Sequence, residues 1–231
     1  MKTKINHIFG SVAENDLQVC KLTLDLENST EQEALESGWL IADSKWYTSR
    51  SVRIDVDAYR KMPKMSKQYS VSYKDKLDTL DEVKLVYAKF IDKMHLKTLY
   101  KIDNDLERTS WILVRNATGN LVAFSKMLNY DRGLETQFTA LDYSDPKASI
   151  GTRLVSYEVA LAKKKNLKHL YIGSGYEEGA TYKASFSGFE WWTGSCWSTD
   201  IDKYIQICLR DESIKTLQQL SGLMNEASES T

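Results

Sequence analysis

Tyr171-Ile-Gly-Ser-Gly-Tyr-Glu-Glu-Gly-Ala-Thr-Tyr182-Lys183-Ala-Ser-Phe186-Ser-Gly-Phe-Glu190-Trp191 opens as a strand and then loses every regular hydrophobic period. Gly173, Gly175 and Gly179 break it, and a Tyr-Lys-aromatic cluster follows. Core segments are seldom built this way, because neither spacing by two nor spacing by three and four survives here. The pattern predicts a strand that ends as the floor of a substrate channel. On its N-terminal side, residues 151–164 read as a helix and residues 137–143 as a strand that stops at Ser144-Asp145-Pro146. Residues 170–173 are then expected to run parallel to residues 137–143 across that helix.

Further out, residues 111–115 and 121–128 bracket Asn116-Ala-Thr-Gly119-Asn120 and predict an antiparallel hairpin. Residues 80–94 carry an apolar stripe of Leu80, Val83, Val86, Tyr87, Phe90, Ile91 and Met94, which is the spacing of an amphipathic helix. Thr79 is its expected N-cap, with Glu82 at the capping-box position. Beyond the aromatic segment, residues 204–209 read as a strand, 213–220 as a helix and 225–231 as a frayed tail. At the other end, residues 19–26 alternate as a strand. Ser29 with Gln32 starts a short helix that ends at Ser37-Gly38, and a hairpin folds around Ala42-Asp43-Ser44. Residues 52–56 and 68–73 complete the strand candidates. Residues 1–76 are thus expected to form an N-terminal α+β domain, 77–212 a transferase domain and 213–231 a helix and tail. The fold class is α+β, and from Leu80 onward the order of elements is compatible with the GNAT acyltransferase fold.

The chain has 231 residues and a formal charge of −1, so its total charge gives it no general attraction for nucleic acid. The charge is segregated, however. Residues 50–76 hold eight bases against acids at 55, 57 and 75, whereas residues 14–36 hold seven acids against Lys21. Cys20, Cys196 and Cys208 form no CxxC, and His7, His95 and His169 lie far apart, so no metal site is expected. No signal segment and no membrane span are expected, and the cysteine usage suits a reducing, cytoplasmic setting.

Four blocks carry a family resemblance. They are Leu35-Glu-Ser-Gly38-Trp39 with Lys45-Trp46-Tyr47; Val52-Arg53-Ile54-Asp55 leading to Ser66-Lys67-Gln68; Asp145-Pro146 followed by Ser149-Ile150-Gly151 and Glu158; and Tyr171-Ile-Gly173 with Tyr182-Lys183 and Phe186. In order and spacing the chain resembles the aminoacyl-tRNA–protein transferases of the arginyl-transferase type and their bacterial leucyl-transferring relatives, over about residues 30–200. That resemblance implies a GNAT-like C-terminal domain, an aminoacyl-tRNA donor and a protein or peptide amine acceptor, with no tightly bound cofactor. There are departures. Leu40-Ile41 replaces the family's double arginine, Arg153 replaces a tyrosine, and Tyr47-Thr-Ser-Arg-Ser-Val52 stands where the family carries cysteines. These leave room for another acceptor, including a modified DNA base.

Transfer of an acyl group to an amine needs a neutral amine, a polarised carbonyl and a stabilised leaving group. Ser149, Gly151, Thr152 and Arg153 open a helix and are candidates for holding a phosphate, or they are a plain helix start. Asp142 and Glu158 are candidates for recognising the amine, or they are solvated acids. Tyr182 can protonate a leaving alkoxide, and Lys183 can bind terminal phosphates or the oxyanion. Phe186 and Trp191, with Phe189 and Trp192, either stack on a terminal adenine or pack into the sheet. Arg53 and Lys67, with Arg50, Lys61 and Lys64, either line a path for a nucleic-acid backbone or form an exposed charged face. Three functions follow: an aminoacyl-tRNA-dependent transferase, an acyl-CoA-dependent N-acyltransferase, or a non-catalytic RNA- or protein-binding module. The usual GNAT phosphate loop is absent, which favours the first over the second.

Overall fold

Backbone alternation builds the main sheet. The computed structural model describes residues 8–11, 17–24, 30–42, 45–48, 50–95, 102, 108–145, 148–176 and 178–212. Strands β7 (Thr109–Asn116) and β8 (Leu121–Asn129) form the expected hairpin, with Gly119 at φ +84° and the Asn116 side chain accepting the Thr118 and Asn120 amides. Strand β9 (Gly133–Leu141) continues antiparallel on β8. Helix α3 (Ile150–Lys164) then returns the chain so that β10 (His169–Ser174) lies parallel to β9, as the sequence predicts. Strands β5 (Ser51–Asp55), β11 (Phe189–Trp192) and β12 (Trp197–Ser198) extend one side, and β6 (Tyr69–Lys74) closes the other. The eight-stranded order is β12-β11-β5-β10-β9-β8-β7-β6.

The smaller sheet, in the order β1-β2-β4-β3, comprises β1 (Ile8–Ser11), β2 (Leu17–Leu24), β3 (Leu40–Ala42) and β4 (Lys45–Thr48). Strands β5 and β6 precede residue 77 yet belong to the large sheet, and β6 is hydrogen-bonded to β7. The class is α+β, a mixed sheet flanked by helices.

Each face of the large sheet buries its own cluster. Val52, Ile54, Leu134, Leu170 and Ile172 pack against Leu154, Val155 and Val159 of α3. On the other face, α2 (Asp81–Met94) covers Trp111, Leu113 and Phe124 with Val83, Val86 and Tyr87. Helix α1 (Glu31–Glu36) and the small sheet cover Leu128, Tyr130 and Tyr171 with Leu35, Trp39 and Trp46. No helix among the described residues is long and apolar enough to cross a membrane.

Several local expectations need correction. Residues 204–209 lie in helix α4 (Ile201–Glu212), whose buried positions Tyr204, Cys208 and Asp211 are spaced by four and three. A short apolar run suits strand or helix equally, and the deciding signal is Asp200, whose carboxylate accepts the Lys203 amide as a helix start. Helix α1 is capped one residue later than expected, by Thr30 with Glu33 completing the box. Helix α2 starts after Leu80 without a side-chain cap, and Glu82 instead pairs with Arg115 through two hydrogen bonds. Strand β9 begins four residues early and ends at Leu141, so Asp142 and Tyr143 stand beyond it and Tyr143 takes φ +53°. The expected cap Ser29, helix 213–220 and tail 225–231 lie outside the described residues.

The small sheet is joined to the large one by polar contacts. Glu135 of β9 accepts from the Ile41 amide and from the buried Tyr130 hydroxyl, and Gln137 donates to the Ile41 carbonyl. Gly38, at φ +76°, ends α1 with the Trp192 ring against it, so a Cβ there would lie 2.3 Å from that ring. Gly38→Ala is expected to lower stability by about 2 kcal/mol or more in urea unfolding. Burial pushes the Glu135 carboxyl up to about 8, so the folded chain holds a proton that the unfolded chain releases near the ordinary value. Glu135 should therefore make a contribution to stability that is lost as pH rises from about 4.5 to about 8. Glu135→Gln should remove that contribution, seen as the difference between wild type and variant in urea titrations across the same range.

Candidate active site

The parallel ladder between β9 and β10 covers three residue pairs and stops: His169 with Gly133, Leu170 with Leu134 and Tyr171 with Glu135. Past it, β9 stays on β8 as far as Leu141, while β10 returns to β5 at Ser174 after an irregularity at Ile172–Gly173. The two strand ends therefore part and leave an opening at their C-terminal side. Gly173 allows the break because it sits at φ +81°, where a side chain would be strained.

Helix α3 places Glu158 beneath this opening. Its side chain turns toward the sheet, 1% exposed, and accepts hydrogen bonds from Ser125 Oγ of β8 (2.5 Å) and Thr136 Oγ1 of β9 (2.9 Å). Burial holds its carboxyl above the usual range, and the two hydroxyls pull it part of the way back. Tyr182 lies in the 3-10 segment Glu178–Ser185, close enough for the Glu158 charge to act on its phenol. The residue is 48% exposed, yet its hydroxyl end is enclosed. Desolvation first, and then the charges of Glu158 and Tyr143, push this phenol up. Among the described residues the hydrogen-bonding partners of Glu158 are Ser125 and Thr136, and Tyr143 is stacked on Phe90 of α2 (6.1 Å, 14°).

Lys183 has a different place from the one its sequence suggested. Nζ donates to the Ile172 carbonyl (2.7 Å) and the Ser174 carbonyl (2.5 Å), on either side of Gly173. The ammonium clamps the irregular end of β10, and one of its three N–H groups is left over for a ligand. Burial lowers its pKa to about 8.

The remaining predicted residues divide. Arg53 alternates with Val52 and Ile54, which face α3, so it points to the opposite side of the sheet. There it bonds Glu190 (2.5 Å) beneath the Trp197 ring, away from the opening. Arg50 is tied to Asp211. Phe186 and Trp191 are buried in the main core, so neither is free to stack on a base. Asp142 caps the Ser144 amide and hydroxyl and lies 3.9 Å from Lys89, on the rim rather than in the floor. Ser149, at φ +49°, makes no side-chain cap for the first turn of α3, which carries Gly151 and the exposed Thr152. Arg153 spends its guanidinium on the carbonyls of Ala148 and Lys64. Lys67 is exposed. The sequence reading missed Ser125, Thr136 and Tyr143. Strand β8 also carries the buried Lys126, so the polar Ser125 does not stand out in its sequence.

No family model matches the chain. It is similar to the aspartate/glutamate leucyltransferase of Saccharophagus degradans, at 24% identity over 168 residues, or 65% of this chain and 71% of that protein. A second aspartate/glutamate leucyltransferase, from Teredinibacter turnerae, matches at 27% over 120 residues, 48% of this chain and 49% of that protein. The chain therefore spans about half the length of the second relative. Among solved structures, L-PGS from Bacillus licheniformis matches at 12% identity and TM-score 0.44, covering 60% of this chain and 52% of that one. A GCN5-related N-acetyltransferase from Kribbella flavida matches at 12% and 0.44, with 62% and 53% covered. Support falls on the leucyl-transferring side of the expected family, and the arginyl-transferring side draws none from it. The chain is an enzyme of the aminoacyl- or acyltransferase class.

The Lys183 clamp has a measurable signature. Its folded pKa of about 8 lies below that of an unfolded lysine, so the unfolded chain binds more protons between about 8 and about 10.5. Stability rises with pH where the unfolded state binds more protons, by at most about 1.4 kcal/mol per pH unit. Urea unfolding of wild type should show this rise above pH 8. Lys183→Met should lack it and be destabilised at pH 7, because two buried carbonyls lose their donor.

Proposed function

We propose that this protein transfers an amino acid from aminoacyl-tRNA to an amine acceptor such as the N-terminus of a protein or peptide. The observation that carries the reading is the buried Glu158 carboxyl, held by Ser125 and Thr136 where the β9–β10 ladder ends, with the Tyr182 phenol within reach of its charge. An amine nitrogen attacks the ester carbonyl of the donor. The N–C bond forms, the bond to the ribose oxygen breaks, and the amine proton passes to ionised Glu158. Tyr182, held neutral by its raised pKa, gives its proton to the departing oxygen and recovers one from solvent, and Glu158 releases the one it took, so that no net proton is consumed. Nothing in this balance requires a tightly bound cofactor. The relatives' names make a leucyl donor and an acidic N-terminal acceptor the first pair to assay.

One observation favours a second reading. The first turn of α3 lacks a side-chain cap from Ser149, and a helix N-terminus suits a pyrophosphate and hence an acyl-CoA donor acting on a small amine or a DNA base.

A transfer assay with the full set of charged tRNAs and peptides with aspartate or glutamate at the N-terminus tests the first reading, with acetyl-CoA as the comparison arm. Product from charged tRNA alone supports it, whereas turnover with acetyl-CoA alone would overturn it in favour of the second. Glu158→Gln keeps both hydroxyl contacts available and should lower kcat by about 100-fold or more. The acid limb of the wild-type kcat/KM profile should fall above the ordinary glutamate value, because ionised Glu158 is the acceptor of the proton.

A further inference from the structure

The link from β5 to β6 must cross four strands. Over the five inter-strand steps from β5 to β6, at about 4.8 Å each, that is roughly 24 Å, and it is made by one irregular segment, residues 56–68. The segment runs between α3 and the chain that follows the 3-10 turn, and it is pinned on both sides. On the α3 side, Tyr59 Oη meets Ser156 Oγ at 2.6 Å, Arg153 donates to the Lys64 carbonyl, and Gln68 and Tyr69 both donate to Asp145. On the other side, the Arg60 amide donates to Ser187 Oγ and Lys61 Nζ reaches the Ser185 carbonyl at 3.4 Å.

Its outward face is cationic. Arg60, Lys61, Lys64 and Lys67 are exposed, no acid occurs between Asp57 and Asp75, and none of the four makes an ion pair among the described residues. This contrasts with Arg50, Arg53, Arg108 and Arg115, all of which are matched to carboxylates. Four cations on one strap repel one another, and among the described residues none has a carboxylate partner. Beside the strap, Tyr182 presents its half-exposed ring, backed edge-on by Phe186 at 6.0 Å, and Phe186 in turn adjoins Tyr59 and Lys61.

We propose that the strap of residues 59–68 is the track for the sugar–phosphate backbone of a single-stranded RNA end, with Tyr182 as the platform for its last base. This rests on the reading of the donor as RNA-borne and deepens it by naming the surface that holds the RNA. Unmatched cations in an extended row suit a backbone with one charge per nucleotide, and an aromatic face at the end of that row suits an unstacked base. An acidic peptide would supply the charge without a planar group for Tyr182. An anionic membrane would meet cations spread over an apolar face, and here Met62 (84% exposed) is the sole strongly exposed apolar residue of the strap.

The test is binding without chemistry. Fluorescence anisotropy with uncharged tRNA and with a 12-nucleotide single-stranded RNA ending in CCA is measured from 50 to 300 mM salt. Wild type is compared with the quadruple variant R60Q/K61Q/K64Q/K67Q, whose substituted side chains are exposed and whose folding is checked by thermal melting. The proposal expects the slope of log K against log salt to shrink by about 3 with the single strand, since each neutralised phosphate contributes about 0.7. It also expects affinity at 50 mM salt to fall at least tenfold. An unchanged slope, no RNA binding by wild type, or preferential binding to phosphatidylglycerol vesicles or to a poly-glutamate peptide would overturn it. The two readings fail separately. RNA binding through the strap with no transfer from any charged tRNA would sink the proposed reaction and leave the strap standing. Transfer with the same donor KM in wild type and the quadruple variant would do the reverse.

Discussion

The ladder between β9 and β10 ends after three pairs, and the candidate site depends on that ending. Two parallel strands joined by a crossover helix ordinarily pair along their shared length, because an unpaired strand edge inside a sheet leaves donors and acceptors unsatisfied. Here the pairing stops while both strands continue. A left-handed glycine at 173 diverts β10, and the Lys183 ammonium occupies the carbonyls on either side of it. The backbone groups released by the break are thus partly satisfied by a side chain arriving from the following segment. The opening is held by chemistry local to the strand end.

What lies under the opening follows from the same crossover. Helix α3 must return across the sheet to start β10, and its inward face meets β8 and β9. An aliphatic residue at 158 would complete that packing. A glutamate there needs partners, which Ser125 and Thr136 provide from neighbouring strands. Glu158 and Ser125 are thereby buried, with Thr136 half-buried beside them, where apolar residues would pack more simply. The arrangement costs stability and leaves a carboxyl of raised pKa whose charge reaches the Tyr182 phenol. Buried, perturbed groups beneath a cleft are the usual mark of a catalytic centre.

The long link from β5 to β6 gives the molecule its second functional feature. Because β5 lies on one side of β10 and β6 at the far edge of the sheet, the connecting chain has to pass over α3 and alongside Tyr182. Strand order makes the link long, and its bonds to Ser156, Arg153, Ser185 and Ser187 lay the lysine-rich segment between α3 and the 3-10 segment. The sequence located that segment correctly as basic but grouped it with Arg50 and Arg53. Those two are consumed internally by Asp211 and Glu190, and alternation along β5 turns Arg53 to the far face. Charge counted along the chain cannot tell a solvated cation from a paired one.

The sequence by itself determined the elements whose periods are long and unambiguous: the stripe of α2, the β7–β8 hairpin, α3 and the strand that follows it. It also determined the Tyr182-Lys183 cluster as the place to look, because glycines and aromatics without a period are legible locally. It misread residues 204–209, where a six-residue apolar run fits two periods, and it placed α1 one residue early. Tertiary structure alone decided that Phe186 and Trp191 are core, that Lys183 is a clamp, and that Ser125 and Thr136 hold the Glu158 carboxyl. Those assignments depend on which residues distant in sequence become neighbours across β8, β9 and α3. Local propensity carries no record of such pairings, whereas burial and hydrogen-bond satisfaction leave only one arrangement once the strands are in order.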